Sequence, residues 1–272
     1  MSEVLYVPSD GLTLAVETFG SGPALIFAHG LTGNRHITRA QFAPLADRYR
    51  IIIYDQRGHC DSTPVTDPAL YHPIRMAEDM TAVLDALDVD TAIVGGESMG
   101  SATTVMFTLR HPERVKKLLL TAPAFGDTVN TEAAGVAEMG RSMLALGKEA
   151  YLAASATRQR DELGWPQPVI DAVARMHGAH DPASFATACE AVMLWKLLPD
   201  LELLKFITCP TCIIAWENDP LHPLELAQRY AATIPDSRLE MLPALVDLFM
   251  RPQVVGEIYG QFLDATQSAD GE

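Results

Sequence analysis

Apolar runs of strand length recur along the chain with amphipathic helical stretches between them, and this alternation restricts the fold more than any other feature. The runs "ALIFAHG" (24–30), "RIIIYDQRG" (50–58), "TAIVGG" (91–96) and "KKLLLTAP" (116–123) have apolar centres without polar alternation, so each strand needs cover on both faces. Parallel strands covered that way are joined by crossovers, and the sequence supplies helices for them. In "IRMAEDMTAVLDAL" (74–87), Met76, Met80, Val83, Leu84 and Leu87 fall on one helical face. "EVLYV" and "LTLAVETFG" read as an opening antiparallel pair turned at Pro8–Gly11. Near the other end "TCIIAW", "LELAQRYAATI", "SRLEML" and "VVGEIYGQFL" continue the strand and helix alternation, and "TQSADGE" reads as a frayed polar tail. The fold class is α/β, a predominantly parallel sheet flanked by helices.

From about Gly126 to Asp200 the pattern changes. Stretches such as "GVAEMGRSMLALGKEAYLAASA" and "PASFATACEAVMLWKLL" are helical and no strand separates them. This predicts a helical insertion over 126–200 in a core of 1–125 and 201–272. Most of its Met and aromatic residues (Met139, Met143, Trp165, Met193, Trp195) suit helix packing, and some suit the lining of an apolar pocket.

Composition excludes several classes of function. With 35 acidic against 20 basic side chains and a formal net charge of -15, nucleic acid is repelled on average. No 18-residue apolar run suggests a membrane span, and the opening "MSEVLYVPSDGLTLAVE" lacks a basic stretch followed by an apolar one, so a bacterial-type cytoplasmic protein is expected. Four cysteines are too few and scattered for a disulfide scaffold. Cys209 and Cys212 form C-x-x-C, but the run leads into a strand, where a reactive dithiol needs a helix N-terminus. No His, Cys or carboxylate cluster has metal-ligand spacing, and no cofactor is implied. A homodimer is left open.

Gly96-Glu97-Ser98-Met99-Gly100 lies between the strand "TAIVG" and a helix starting at Met99. A G-x-S-x-G at such a turn strains the serine backbone, demands small neighbours and lifts the hydroxyl above the sheet. The helix beneath offers N–H groups and a favourable dipole to a developing oxyanion.

In this context the chain resembles the α/β-hydrolase superfamily, and the resemblance covers almost its whole length. It implies a mostly parallel eight-stranded sheet, with residues 126–200 as the cap over the substrate. "FAHGLTG" supplies the family's His29-Gly30 pair, which implies that the N–H groups of Leu31 and Met99 form the oxyanion hole and that His29 holds the loop. "YDQRGHCDS" is similar to the family segment after the fourth strand, with Cys60 where glycine is usual and His59 as a packing residue. "AWENDPLHP" is similar to the segment that carries the acid, which falls on Asp219, although Trp216 replaces a glycine.

The base should follow one strand and one helix later. There, in "LPALVDLFMRP", Asp247 stands where the family has histidine, 28 residues after Asp219, and the family's glycines are Ala244 and Val246. Losing the histidine of a comparable triad costs about a million-fold in rate. Three alternatives stay open on the sequence. Asp247 can serve if desolvation raises its basicity; His222, three residues after Asp219, or His36, just past the oxyanion loop, can replace the missing imidazole; or nothing activates Ser98. The corresponding functions are a cofactor-free serine hydrolase of small apolar esters, thioesters or lactones, a ligand-binding pseudoenzyme, and a non-hydrolytic enzyme on the same fold.

Overall fold

The computed structural model describes residues 4–267, so the polar end from 268 onward lies outside the described residues. Eight strands form one sheet: β1 (Val4–Ser9), β2 (Leu12–Phe19), β3 (Ala24–Ala28), β4 (Arg50–Tyr54), β5 (Ala92–Glu97), β6 (Val115–Thr121), β7 (Thr211–Ala215) and β8 (Ser237–Met241). Their spatial order is β1-β2-β4-β3-β5-β6-β7-β8. β1 and β2 pair antiparallel and β2 meets β4 antiparallel, while every pairing from β4 through β8 is parallel. The strands predicted to be two-sided are so: Leu25 to Ala28, Ile51 to Tyr54 and Leu118 to Leu120 are buried throughout.

Helices α1 (Arg35–Phe42), α2 (Pro73–Ala86) and α3 (Met99–Arg110) follow β3, β4 and β5. On α2, Met76, Met80, Val83 and Leu84 are all buried, as the periodicity predicts. Between β6 and β7 come four helices with no strand among them: α4 (Ala133–Leu146), α5 (Lys148–Asp161), α6 (Gln167–Gly178) and α7 (Pro182–Val192). The first helical stretch is two helices, because Gly147 takes φ +79° between α4 and α5, a conformation that ends a helix. The chain closes with α8 (Leu224–Thr233), α9 (Val246–Met250) and α10 (Gln253–Gln267).

The segment after β4 is held from inside. Asp55 accepts the Arg35 backbone N–H at 2.8 Å and pairs with its guanidinium, tying β4 to the start of α1. Cys60 explains the usual glycine at its position, since its φ is +45°. Burial pushes the thiols of Cys209 and Cys212 up to about 11 and about 12, the reverse of an activated dithiol.

Candidate active site

The turn from β5 into α3 is as tight as the G-x-S-x-G spacing predicts. Ser98 sits at φ 52°, ψ -109°, a strained conformation for a residue with a side chain, and its N–H donates to Thr121 O at 2.9 Å. Both glycines are sterically required. A Cβ on Gly96 would lie 2.1 Å from Gly100 O, and one on Gly100 would lie 2.0 Å from Ala28 O, so helix and strands could not approach.

The loop after β3 runs beside this turn; a Cβ on Gly30 would lie 3.5 Å from Ser98 Cβ. His29 anchors the loop. Its Nε2 accepts the Gln56 N–H at 3.0 Å, so its proton is on Nδ1, which donates to Gly30 O at 2.7 Å. Burial, with His59 nearby, holds the His29 imidazole well below its ordinary range, so the ring is neutral. His59 packs next to it with Nε2 2.8 Å from Leu31 O. The first N–H groups of a helix have no intrahelical partner, and Met99 opens α3.

Beyond β7 the chain makes a turn that carries two functional groups. Asp219 Oδ1 accepts the backbone N–H groups of Leu221 and His222 at 3.0 and 3.3 Å, which curls the loop so that the two side chains meet. Asp219 Oδ2 lies 2.8 Å from His222 Nδ1 and accepts the Trp216 indole N–H at 2.8 Å. His222 Nε2 then lies 3.0 Å from Ser98 Oγ. A carboxylate only accepts, so Nδ1 carries the proton and the Nε2 lone pair faces the serine hydroxyl. Partial burial opposes ionisation of Asp219, but the His222 ring, the Trp216 indole and the Leu221 N–H outweigh it and hold the carboxyl down to about 2.

Two sequence candidates stand elsewhere. Asp247 is in the first turn of α9, where its Oδ2 accepts the Ala244 N–H at 3.1 Å, so it caps a short helix and does not face Ser98. With Ala244 and Val246 in place of the family's glycines, the chain here lacks glycine's freedom and forms a short helix. His36 is exposed on α1, and it lines an outer cleft between α1 and α6 instead of the cavity at Ser98.

That cavity has a volume of about 180 Å³. Phe125, Met139, Met176, Met193, Leu221 and Phe249 give it an apolar lining, with His29, Gly30 and Ser98 at its base. Of the insertion's Met and aromatic residues, Met139 and Met193 line this cavity, whereas Met143 is fully buried in the core. The cavity is continuous in its lining with a larger cleft of about 480 Å³ beneath α5 and α6, to which Trp165 belongs. Glu97 and Gln41 are among the polar lining residues that went unread in the sequence. Glu97, the residue before Ser98, accepts a hydrogen bond from Gln41 Nε2 at 2.9 Å. The role of Trp216 was also missed, and its signal was a large donor-bearing side chain in place of glycine. Among the described residues no three His, Cys, Asp or Glu side chains converge as metal ligands.

Fold and site together define a hydrolase of the α/β class, and comparison with known proteins agrees. The family described as alpha/beta hydrolase fold matches residues 23–244, and the chain belongs to it. It is 31% identical over 245 residues to 3-oxoadipate enol-lactonase 2 of Acinetobacter baylyi, covering 86% of each chain. It is 27% identical to 2-(acetamidomethylene)succinate hydrolase of Mesorhizobium japonicum, covering 93% of this chain and 92% of the other. A hydrolase of known structure from Pseudomonas aeruginosa superposes with a TM-score of 0.78 at 26% identity, over 96% of this chain and 98% of that one.

Proposed function

We propose that the protein hydrolyses esters, thioesters or lactones of small apolar substrates through a covalent acyl-enzyme on Ser98. One observation carries this reading: the hydrogen-bonded sequence Ser98 Oγ, His222 Nε2, His222 Nδ1, Asp219 Oδ2, with separations of 3.0 and 2.8 Å. Ser98 Oγ attacks the substrate carbonyl carbon and its proton passes to His222 Nε2. The Leu31 and Met99 N–H groups hold the oxyanion, and Asp219 stabilises the imidazolium. Collapse expels the alkoxide or thiolate, which takes the proton from His222. Water, deprotonated by the same imidazole, then releases the acid and restores Ser98. With a lactone the leaving oxygen stays on the acyl group and the product is one hydroxy acid. No cofactor enters any step.

Residues 126–200 act in this reading as a cap that shapes substrate access, since Met139, Met176 and Met193 line the cavity. The pseudoenzyme alternative rests on the lack of a base within reach of Ser98, and the His222 contact supports the hydrolase reading over it. The name of one relative, an enol-lactonase, supports lactones as a substrate class, and that of the other, a hydrolase of an acetamido compound, supports hydrolysis of an acyl group. The cytoplasm and a free small-molecule substrate fit the reading, and no helix among the described residues is long and apolar enough to cross a membrane.

The test mixes purified protein with 4-nitrophenyl acetate. A stoichiometric burst followed by turnover is expected, with both lost in Ser98→Ala. Absence of a burst and of turnover across acyl lengths and simple lactones would overturn the proposal.

A further inference from the structure

The lining of the cavity at Ser98 is uneven in charge. Among the described residues it contains no lysine or arginine, and Glu97 is its only carboxylic acid. Glu97 is half-buried at the end of β5, directly before the nucleophile. Gln41 Nε2 donates to its Oε2 at 2.9 Å, which fixes the plane of the carboxyl group. Its Oε1 has no protein partner among the described residues and lies 3.5 Å from where a Cβ on Gly30 would sit, the same distance as Ser98 Cβ. One carboxyl oxygen is therefore fixed by the protein, while the other lies beside Gly30, the residue whose Cβ position is equally near Ser98 Cβ. Burial pushes this carboxyl up from its ordinary range, with the Gln41 hydrogen bond and the field of His222 opposing. The arginines of neighbouring clefts, Arg158 and Arg175, are outside this cavity, and Arg158 pairs with Glu162.

From this geometry we propose that Glu97 is a specificity-determining residue: it excludes acyl groups bearing a carboxylate close to the scissile carbonyl and favours those bearing a hydrogen-bond donor, such as a carboxamide or hydroxyl. The inference rests on the ester or lactone hydrolase reading above. A second carboxylate in an apolar cavity already holding one acid meets like-charge repulsion with no cation to offset it. A donor-bearing acyl group instead finds Glu97 Oε1 open as an acceptor. Glu97 touches no atom in the proton path and is a selector rather than an acid or base in the reaction.

Three nearly isosteric methyl esters isolate the effect: methyl 4-methylpentanoate, methyl 3-carbamoylpropanoate and monomethyl succinate. They present an isopropyl, a carboxamide and a carboxylate group at the same position. Their dissociation constants for the Ser98→Ala protein, measured calorimetrically at pH 8, test the inference even if the wild-type protein hydrolyses none of them. Turnover by the wild-type protein tests the hydrolase reading separately. The expected result is carboxamide tighter than isopropyl and carboxylate weaker than carboxamide by about a hundred-fold. Adding Glu97→Gln should shrink the carboxamide-to-carboxylate ratio to under about ten-fold, read within each protein. Monomethyl succinate binding within about three-fold of the carboxamide ester in the Glu97 protein would overturn the inference, as would an undiminished ratio after Glu97→Gln.

Discussion

The indole N–H of Trp216 donates to Asp219 Oδ2 at 2.8 Å, the oxygen that also faces His222 Nδ1. Trp216 is 2% exposed and its ring meets the His222 ring edge-on, with centroids 5.7 Å apart, so it fixes both Asp219 and His222. Asp219 and His222 are three residues apart in one turn, and a rigid neighbour compensates for the short tether. Trp216→Phe keeps most of the packing and removes the donor. It should lower kcat by about ten-fold to a hundred-fold with little change in KM, because a hydrogen bond that orients a reacting group is lost without touching substrate. Steady-state kinetics on 4-nitrophenyl acetate check it; an unchanged kcat would mean that Asp219 and His222 hold themselves.

His222 and Asp247 make opposite predictions. His222→Ala should reduce turnover by about a million-fold, leaving only what binding and the oxyanion hole supply. Asp247→Asn should leave kcat within about three-fold while lowering stability by about 0.5–1 kcal/mol, the cost of a weakened helix cap. Kinetics and thermal melts on both variants separate them. A large kcat loss in Asp247→Asn would return that carboxylate to the mechanism.

How far the sequence was legible follows from what each signal encodes. Continuous apolar runs such as Leu25–Ala28 report burial on both faces directly, so the sheet could be read. The G-x-S-x-G turn reports a steric demand, and the crowding at Gly96 and Gly100 is that demand seen in atoms. The contact proposed to supply the base, by contrast, joins residues 124 positions apart, Ser98 and His222, and no local pattern carries that distance. The family's chain order pointed to position 247, whereas the local clue was a histidine in a turn whose Asp219 could curl it back. His222 was among the candidates for that reason; His36 was too, and its helix turns it outward. Glu97, at the end of β5, and Gln41, on α1, meet only through tertiary packing, which sequence spacing does not reveal.

Three glycines of different surroundings should respond differently to alanine. Gly96→Ala and Gly100→Ala each drive a Cβ to within 2.1 Å of a backbone oxygen, so neither should give a stable protein without backbone movement, at a cost of about 3 kcal/mol or more. Gly135, in the first turn of α4, has nothing within 4 Å of its Cβ position and no positive φ. Gly135→Ala should therefore stabilise by about 0.5–1 kcal/mol through helix propensity and a less flexible unfolded chain. Denaturant titrations rank the three; a destabilised Gly135→Ala would show that α4 needs the glycine for a reason other than space.

Acid should weaken the protein in two steps, and the upper one comes from the insertion. Burial pushes His177 down to about 4, and burial with the adjacent His59 pushes His180 down to about 3. Both are neutral in the folded protein, where Tyr151 Oη lies 2.9 Å from His177 Nδ1 and His180 Nε2 lies 2.8 Å from Thr32 O. Below an ordinary histidine value of about 6.5 the unfolded chain binds protons that the folded chain does not, so stability falls as pH falls through that value. For His177 the loss reaches about 3 kcal/mol by pH 4. Asp219 acts lower: its folded carboxyl sits at about 2, so the stability it adds is present above about 4 and disappears between there and about 2. His177→Leu removes one titration at the expense of a Tyr151 hydrogen bond, making it less stable than wild type at pH 7.5 by about 1–3 kcal/mol. Urea titrations between pH 7.5 and 4 should show the two stability curves converging as pH falls. Curves that stay parallel would mean that His177 takes up its proton without opening the fold.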